Sequence, residues 1–244
     1  MVTAQRLYCL PYAGGSARVF ADWAEGLPAD LEVVALELPG RGLRFHEDPV
    51  DRLEPIVAGL LGEVLAQPPH TRFAVLGYSY GSLLAFELCR RLEHYYGMVA
   101  EHLFVAAMRA PSVPRTEPRV SALSDDRFRA HIRSLGGTPP EVLEHDALME
   151  ILLPVLRADF TVVDNYAYHG RPISCPITAL GGDDDAGVSL DALAAWAGCT
   201  AGPFGLQMFS GGHFFLRSAR EELLARLASD LDPIADPTLP RRRT

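Results

Sequence analysis

A serine with a glycine two residues before it and another two residues after it is the part of the sequence best suited to covalent chemistry. The segment Gly77–Gly81 reads Gly-Tyr-Ser-Tyr-Gly, follows the apolar run Phe73–Gly77 and precedes a helical pattern over Ser82–Tyr96. A serine on a sharp strand-to-helix turn presents its hydroxyl above the sheet, and the crowded turn requires glycine at both flanking positions. The pattern predicts that Ser79 is a nucleophile. A purely structural glycine-rich turn is the alternative interpretation.

A serine hydroxyl needs a neighbouring base before it can attack a carbonyl. In hydrolases with this kind of turn, the chain order is serine, acid, histidine, and the last two lie on loops after later strands. Of the eight histidines, only His213 follows the last predicted strand. The glycines Gly211 and Gly212 allow its loop to approach the serine, and Phe214 and Phe215 can anchor that loop. We therefore predict that His213 is the general base.

Three adjacent carboxylates, Asp183–Asp185, follow the strand predicted before the histidine loop. Asp185 is favoured because it lies three residues after Gly182, a common spacing in this loop, and Asp183 is the next candidate. The acid would hold the imidazole in the required tautomer and stabilise the imidazolium. A calcium site in the triplet is an alternative, but the segment lacks the further oxygen ligands that calcium requires. We predict neither a metal nor a cofactor.

An oxyanion hole needs two amides, and one of them follows the nucleophile at the start of the helix. The second is expected from the loop after the first strand, Leu10–Ser16, where Gly14 and Gly15 let the backbone turn towards the substrate. We predict the amides of Ala13 and Tyr80 as donors. A register shifted by one residue in this loop is the alternative for the first donor.

The elements that would position these residues alternate between short apolar runs and longer helical patterns, which is typical of a parallel sheet covered on both faces. Together with the Gly-x-Ser-x-Gly turn, this alternation predicts an α/β-hydrolase fold with a mostly parallel sheet, in a single domain over residues 1–244. The predicted strands are Arg6–Leu10, Glu32–Leu38, Phe73–Gly77, His102–Ala107, Ile177–Leu180 and Gln207–Phe209. The predicted helices are Leu53–Ala66, Ser82–Tyr96, one near Ala192–Ala197, and one ending at Leu231 that starts at a Ser218/Glu221 capping box.

About seventy residues between Ala107 and Ile177 have helical patterns but no strand pattern. One helix is predicted to begin at Ser124 and to stop at Gly136, and a second to cover Leu148–Val163 with a kink at Pro154. An insertion after a central strand would lie over the active site, so we predict a lid over about residues 113–170. An ordinary helical cover on the sheet is the alternative.

Composition excludes several classes of function. Apolar residues make up 48% of the chain, which allows a sizeable core, and the formal net charge is −9. Positive charge clusters only at Arg241–Arg243, in a tail over about 233–244 that we expect to be flexible, so nucleic-acid binding is disfavoured. No apolar run is long enough to cross a membrane, no signal peptide precedes the first strand, and the four cysteines lack metal-ligand spacing. We expect a cytoplasmic protein that does not bind membranes.

Taken together, these motifs resemble the type II thioesterases of polyketide and nonribosomal peptide assembly lines. The resemblance spans roughly Arg6 to Leu231. Two departures are visible: the family usually has histidine before the serine and methionine or leucine after it, where this chain has Tyr78 and Tyr80. These rings are expected either to narrow the acyl pocket or to pack under the lid. The motifs that carry the resemblance are Leu10–Ser16, Trp23, Leu38–Arg41, Gly77–Gly81, Ala85–Leu88, Arg109–Ser112, Gly182–Asp185, Trp196 and Gly211–Leu216.

The resemblance implies hydrolysis of stalled or aberrant acyl groups from the phosphopantetheine arm of acyl or peptidyl carrier proteins. Ser79 would form an acyl-enzyme, which water would hydrolyse with His213 as base. Because such carrier proteins are usually acidic, as this chain is, docking would need a local basic or apolar patch. A carboxylester hydrolase or acyltransferase with the same triad is the second interpretation. A non-catalytic binding protein is disfavoured because all three triad residues are present.

Overall fold

The computed structural model describes residues 5–67, 72–115 and 118–232. Six parallel strands form one sheet in the order β2-β1-β3-β4-β5-β6. The parallel α/β architecture predicted from the alternating pattern is confirmed. The strands are β1 Gln5–Leu10, β2 Leu31–Ala35, β3 Phe73–Tyr78, β4 His102–Ala106, β5 Ile177–Gly182 and β6 Phe204–Phe209.

Helices cover both faces of this sheet. Because successive side chains of a strand point to opposite faces, β1 directs Tyr8 and Leu10 into one core cluster and Leu7 and Cys9 into another. Helices α1 and α2 pack in the first cluster and α8 packs in the second. The helices are α1 Leu53–Ala66, α2 Tyr80–Tyr96, α3 Asp125–Leu135, α4 Pro140–Leu143, α5 Asp146–Asn165, α6 Leu190–Ala194, α7 Phe215–Ser218 and α8 Arg220–Leu231.

Two predicted strand boundaries were wrong by three residues, and the others agree to within two. Strand β2 ends at Ala35 rather than Leu38, because its pairing with β1 ends there. Strand β6 begins at Phe204, three residues before its predicted start, because its pairing with β5 begins there.

The predicted capping box at the last helix was also wrong. Ser218 ends the short helix α7, and its hydroxyl donates to the Ser210 carbonyl over 3.3 Å. Helix α8 begins at Arg220 without a side-chain cap. Helix α7 is separate from α8 because Phe215 and Leu216 pack in the core immediately after the histidine loop.

The segment between β4 and β5 is helical and has a small core of its own. Helix α3 begins directly after Ser124 and is followed by Gly136 at φ +76°, as predicted. Helix α5 starts at Asp146 and continues through Pro154 to Asn165. The core of this segment comprises Val120, Phe128, Ile132, Leu143, Met149, Leu153 and Leu156.

The four cysteines are buried and unpaired. In residues 5–67, 72–115 and 118–232, no helix combines the length and apolarity needed to span a bilayer. The tail over 233–244, including Arg241–Arg243, lies outside the described residues.

Candidate active site

Ser79 occupies the sharp turn between β3 and α2. Its backbone has φ 52° and ψ −118°, a strained conformation for a residue with a side chain. A Cβ atom at Gly77 would lie 2.2 Å from the Gly81 carbonyl oxygen, and a Cβ at Gly81 would lie 2.3 Å from the Leu10 carbonyl oxygen. Both glycines are therefore required by backbone contact, as the spacing predicts.

Ser82 fastens this turn to the neighbouring strand. Its fully buried hydroxyl lies 2.8 Å from the Gly77 carbonyl oxygen and accepts from the Ala106 amide over 3.1 Å. The Ser79 amide donates to the Ala106 carbonyl over 2.7 Å. Sequence reasoning missed this role of Ser82; the available signal was a polar residue in the first, buried turn of a long helix.

The loops after β5 and β6 bring an acid and an imidazole to the serine. His213 Nε2 lies 3.0 Å from Ser79 Oγ, and His213 Nδ1 lies 2.7 Å from Asp185 Oδ2. The side chains of His213 and Asp185 are only 11% and 4% exposed. When Nδ1–H donates to Asp185, Nε2 is left to accept the proton of the Ser79 hydroxyl, which is the arrangement that a general base requires.

Asp183, the alternative acid, has a different partner. It is exposed, and its Oδ1 accepts from the Gly211 amide over 2.8 Å. A Cβ at Gly182 would lie 2.3 Å from the Gly211 carbonyl oxygen, so the two loops meet backbone to backbone. Of the three carboxylates, the structure thus places Asp185 against the imidazole and Asp183 against the loop that carries it.

Tyr78 lies beneath the histidine loop. Its hydroxyl donates to the His213 carbonyl oxygen over 2.7 Å and accepts from the Leu216 amide over 3.4 Å. The buried ring contacts Phe214 and Phe215. Burial raises the pKa of Tyr78 well above its ordinary value, so the hydroxyl remains a donor. Tyr78 therefore does not narrow the pocket beside Ser79.

Tyr80 has a buried side chain but a well-placed amide. Its ring packs in the core with Leu10 and Leu84, and its amide opens helix α2. Among the described residues, no acceptor is found for the amides of Ala13 and Tyr80. The Gly14 amide donates to Asp159 Oδ2 over 2.8 Å. In the loop after β1, the Gly14 amide is therefore engaged by Asp159 whereas the Ala13 amide is not, and the assignment of Ala13 to the oxyanion hole stays a prediction.

A small cavity of about 30 Å³ opens on Ser79 and His213. Neither Tyr78 nor Tyr80 lines it. The lining residues are Tyr12, Ala13, Ser79, Ile132, Leu135, Gly137, Thr138, Leu156, Phe160, His213 and Phe214.

An ion pair beside the cavity was missed by sequence reasoning. Arg41 Nη1 donates to Asp159 Oδ2 over 2.5 Å, and Nη2 donates to Oδ1 over 2.8 Å. Burial raises the pKa of Asp159, while Arg41 and the Gly14 amide oppose that rise. Since only N–H groups donate to the two oxygens, the geometry holds the carboxylate form. The available signal was a lone carboxylate on the apolar face of α5, between Leu156 and Phe160.

The described residues include no cluster of three or more histidine, cysteine or acidic side chains arranged to hold a metal. Asp185, His213 and Ser79 form an acid–imidazole–hydroxyl chain at a strand-to-helix turn.

The chain as a whole is similar to known proteins. A family model described as a thioesterase domain matches residues 5–231. The chain is 39% identical to gramicidin S biosynthesis protein GrsT of Aneurinibacillus migulanus, over 96% of this chain and 91% of that protein. It is 36% identical to thioesterase PikA5 of Streptomyces venezuelae, over 94% of this chain and 82% of that protein. The solved structure of BorB, a type II thioesterase from the borrelidin biosynthetic cluster, superposes with a TM-score of 0.85, at 39% identity and over 94% of each chain.

Proposed function

This chain belongs to the thioesterase family and has the α/β-hydrolase fold, and from this premise we propose that it hydrolyses aberrant or stalled acyl groups from the phosphopantetheine arm of acyl or peptidyl carrier proteins. The observation that carries the proposal is the continuous contact from Asp185 through His213 to Ser79. The predicted resemblance to type II thioesterases is confirmed by the similarity to BorB. The carrier-protein substrate is inferred from the biosynthetic context that the relatives share.

Acylation would begin with attack of Ser79 Oγ on the thioester carbonyl carbon. The serine proton passes to His213 Nε2, and Asp185 stabilises the imidazolium that forms. The amides of Ala13 and Tyr80 donate to the oxyanion of the tetrahedral intermediate. When the intermediate collapses, the carbon–sulfur bond breaks and the leaving thiolate of the carrier arm takes the proton from His213. The product is an ester of Ser79.

Deacylation would use the same groups with water as the nucleophile. His213 accepts a proton from water, the hydroxyl attacks the ester carbonyl, and the same two amides stabilise the second oxyanion. Ser79 regains the proton as the carboxylic acid leaves. The mechanism consumes one water and releases the free carrier thiol and the acid.

The helical segment over about 113–170 would act as a lid. Four apolar residues of α3 and α5 line the cavity beside Ser79: Ile132, Leu135, Leu156 and Phe160. We infer that these helices move away from the serine when an acyl substrate enters, because their apolar side chains line the cavity beside it.

A reducing cytoplasm is the proposed location. All four cysteines are unpaired and buried, which fits a protein that folds without disulfides.

The direct test is incubation with a panel of acyl-loaded carrier proteins, comparing the wild type with Ser79→Ala. We expect the wild type to release free carrier thiol and the variant to release none while keeping its unfolding temperature. The oxygen ester of the same acyl group serves as a matched substrate. Faster turnover of the ester than of the carrier thioester would contradict the proposal and favour a carboxylester hydrolase.

A further inference from the structure

Three distant segments of the chain meet at the carboxylate of Asp159. Helix α5 contributes Asp159, the loop after β2 contributes Arg41, and the loop after β1 contributes the Gly14 amide. Asp159 is fully buried and Arg41 is 7% exposed. Arg41 is itself oriented by its Nε, which donates to the Pro39 carbonyl oxygen over 3.1 Å.

The donors at this junction match an ionised carboxylate. Three N–H groups donate to two carboxylate oxygens, and Oδ2 accepts from both Arg41 and Gly14. An uncharged amide at position 159 would offer one acceptor oxygen to these three donors and turn an NH₂ group towards at least one of them. The carboxylate is therefore specifically suited to hold the guanidinium and the loop amide together.

The junction also fixes the loop that would supply the oxyanion hole. Gly14 has φ +74°, and a Cβ atom there would lie 2.6 Å from Leu156 Cδ2 of helix α5. The loop thus lies directly against α5, and the hydrogen bond to Asp159 turns the Gly14 amide towards that helix. With the Gly14 amide bound, the neighbouring Ala13 remains at the cavity beside Ser79.

We propose that Asp159 and Arg41 are positioning residues that fix the oxyanion loop only while helix α5 is seated on it, so that lid closure and assembly of the oxyanion hole are one event. An open lid would withdraw the acceptor of the Gly14 amide and leave the loop free to turn. The inference rests on the proposed function, because it assigns the Ala13 amide to the oxyanion of that reaction.

The test compares two double variants that both lack the ion pair. They differ only in whether the side chain at position 159 offers an acceptor to the Gly14 amide. Arg41→Met/Asp159→Asn keeps a carbonyl oxygen at position 159 and removes the competing guanidinium. Arg41→Met/Asp159→Leu keeps a similar volume and has no acceptor. Replacing both charges with uncharged groups also avoids leaving one charge buried without a partner, which would be strongly destabilising. Arg41→Met/Asp159→Ala is a second acceptor-free variant if the leucine side chain does not fit.

The readout is the affinity for an alkyl trifluoromethyl ketone, whose adduct with Ser79 places an oxyanion in the hole, alongside kcat and KM for one acyl thioester. Loss of one oxyanion-hole donor in other hydrolases lowers kcat by about 10²–10³. Compared with the asparagine variant, we expect the acceptor-free variants to have a kcat at least about tenfold lower and a ketone Ki at least about tenfold higher. Their KM should stay within about threefold of the asparagine variant's KM. Equal kcat and Ki in both types of variant would overturn the proposal.

Asp164→Asn is the matched control on the same helix. Asp164 is 8% exposed, pairs with Arg115 over 2.5 Å and accepts from the Ser121 amide over 2.7 Å. We expect this variant to be less stable but to keep the wild-type ketone Ki. A Ki raised as much as in the acceptor-free variants would indicate a general loosening of the lid and would contradict the proposal. The ketone assay reports on the hole whichever acyl substrate the enzyme prefers, so a failure of the carrier-thioester assignment would be seen separately.

Discussion

The hydroxyl of Tyr78 donates a hydrogen bond to the main-chain carbonyl of His213 over 2.7 Å. The residue that immediately precedes Ser79 in the sequence thus holds the loop that carries the imidazole. Strand β3 therefore positions the nucleophile through its backbone turn and the proposed base through this side chain.

Removing the Tyr78 hydroxyl should make the histidine loop less firmly held without creating a cavity in the core. In Tyr78→Phe the ring packing remains, while the carbonyl of His213 loses its buried donor. We expect a loss of about 1 kcal/mol in the free energy of unfolding and a kcat lowered about three- to tenfold, since one net hydrogen bond corresponds to about that factor. Steady-state kinetics and urea unfolding measure the two effects. Tyr95→Phe, at a 69% exposed position, is the control, and an equal kcat in both variants would disprove the positioning role.

Asp185→Asn should abolish most activity while the exposed Asp183→Asn should not. An asparagine at 185 can donate to Nδ1 and favour the wrong imidazole tautomer, an effect worth about 10⁴ in kcat in serine proteases. We expect a decrease of about 10³–10⁴ for Asp185→Asn by the same effect. Asp183 binds the Gly211 amide rather than the imidazole, so Asp183→Asn should lower kcat less than about tenfold. The reverse order of the two variants in a thioester assay would reassign the acid.

Gly81→Ala should destabilise the protein because its new methyl group would meet backbone. The Cβ atom would lie 2.3 Å from the Leu10 carbonyl oxygen, and backbone atoms there have little room to move. We expect a loss of about 3 kcal/mol, at the upper end of the usual cost of overpacking. Gly59→Ala in helix α1 is the control, since its Cβ meets nothing within 4 Å, and it should stabilise the helix by about 0.5–1 kcal/mol. Chemical unfolding of both variants measures the difference, and a neutral Gly81→Ala would contradict the close approach.

Stability should fall in mildly acidic solution because of His102. Burial lowers the pKa of His102 to about 4, with Asp230 opposing and Arg226 adding to the decrease. In the unfolded chain, His102 takes up a proton below about pH 6.5, whereas in the folded protein it does not do so until about pH 4. The stability that depends on neutral His102 is therefore present above pH 6.5 and is lost as the pH falls towards 4, by up to about 3 kcal/mol.

Urea unfolding between pH 7 and pH 4.5 tests this dependence. His102→Gln should have a shallower decline of unfolding free energy with falling pH than the wild type. His46→Gln, at an exposed position, should keep the wild-type slope. Parallel slopes for the wild type and His102→Gln would show that His102 does not titrate as described.

The serine turn and the sheet could be predicted because their determinants are local. Backbone crowding at Gly77 and Gly81 follows from the turn itself, and each strand is a short apolar run. The contact between His213 and Ser79 follows from the order of elements in a parallel sheet. The catalytic roles of these residues remain predictions that the experiments above address.

Other features depended on contacts between distant segments. The choice between Asp183 and Asp185 is made by the Gly211 amide, which binds the first and leaves the second to the imidazole. Asp159 pairs with Arg41, 118 positions away, and the motif Leu38–Arg41 does not by itself indicate that partner. The Ser218/Glu221 pattern matched a capping box, but the packing of Phe215 into the core placed Ser218 in an earlier turn.

The role of Ser79 is tested most directly by rapid-quench mass spectrometry of the enzyme mixed with an acyl-loaded carrier protein. We expect a transient increase in enzyme mass equal to the acyl group, located on the peptide that contains Ser79 and absent from Ser79→Ala. His213→Ala should form this adduct far more slowly. Turnover by Ser79→Ala, or an acyl group found on another residue of the wild type, would contradict the claim that the Ser79 hydroxyl is the nucleophile.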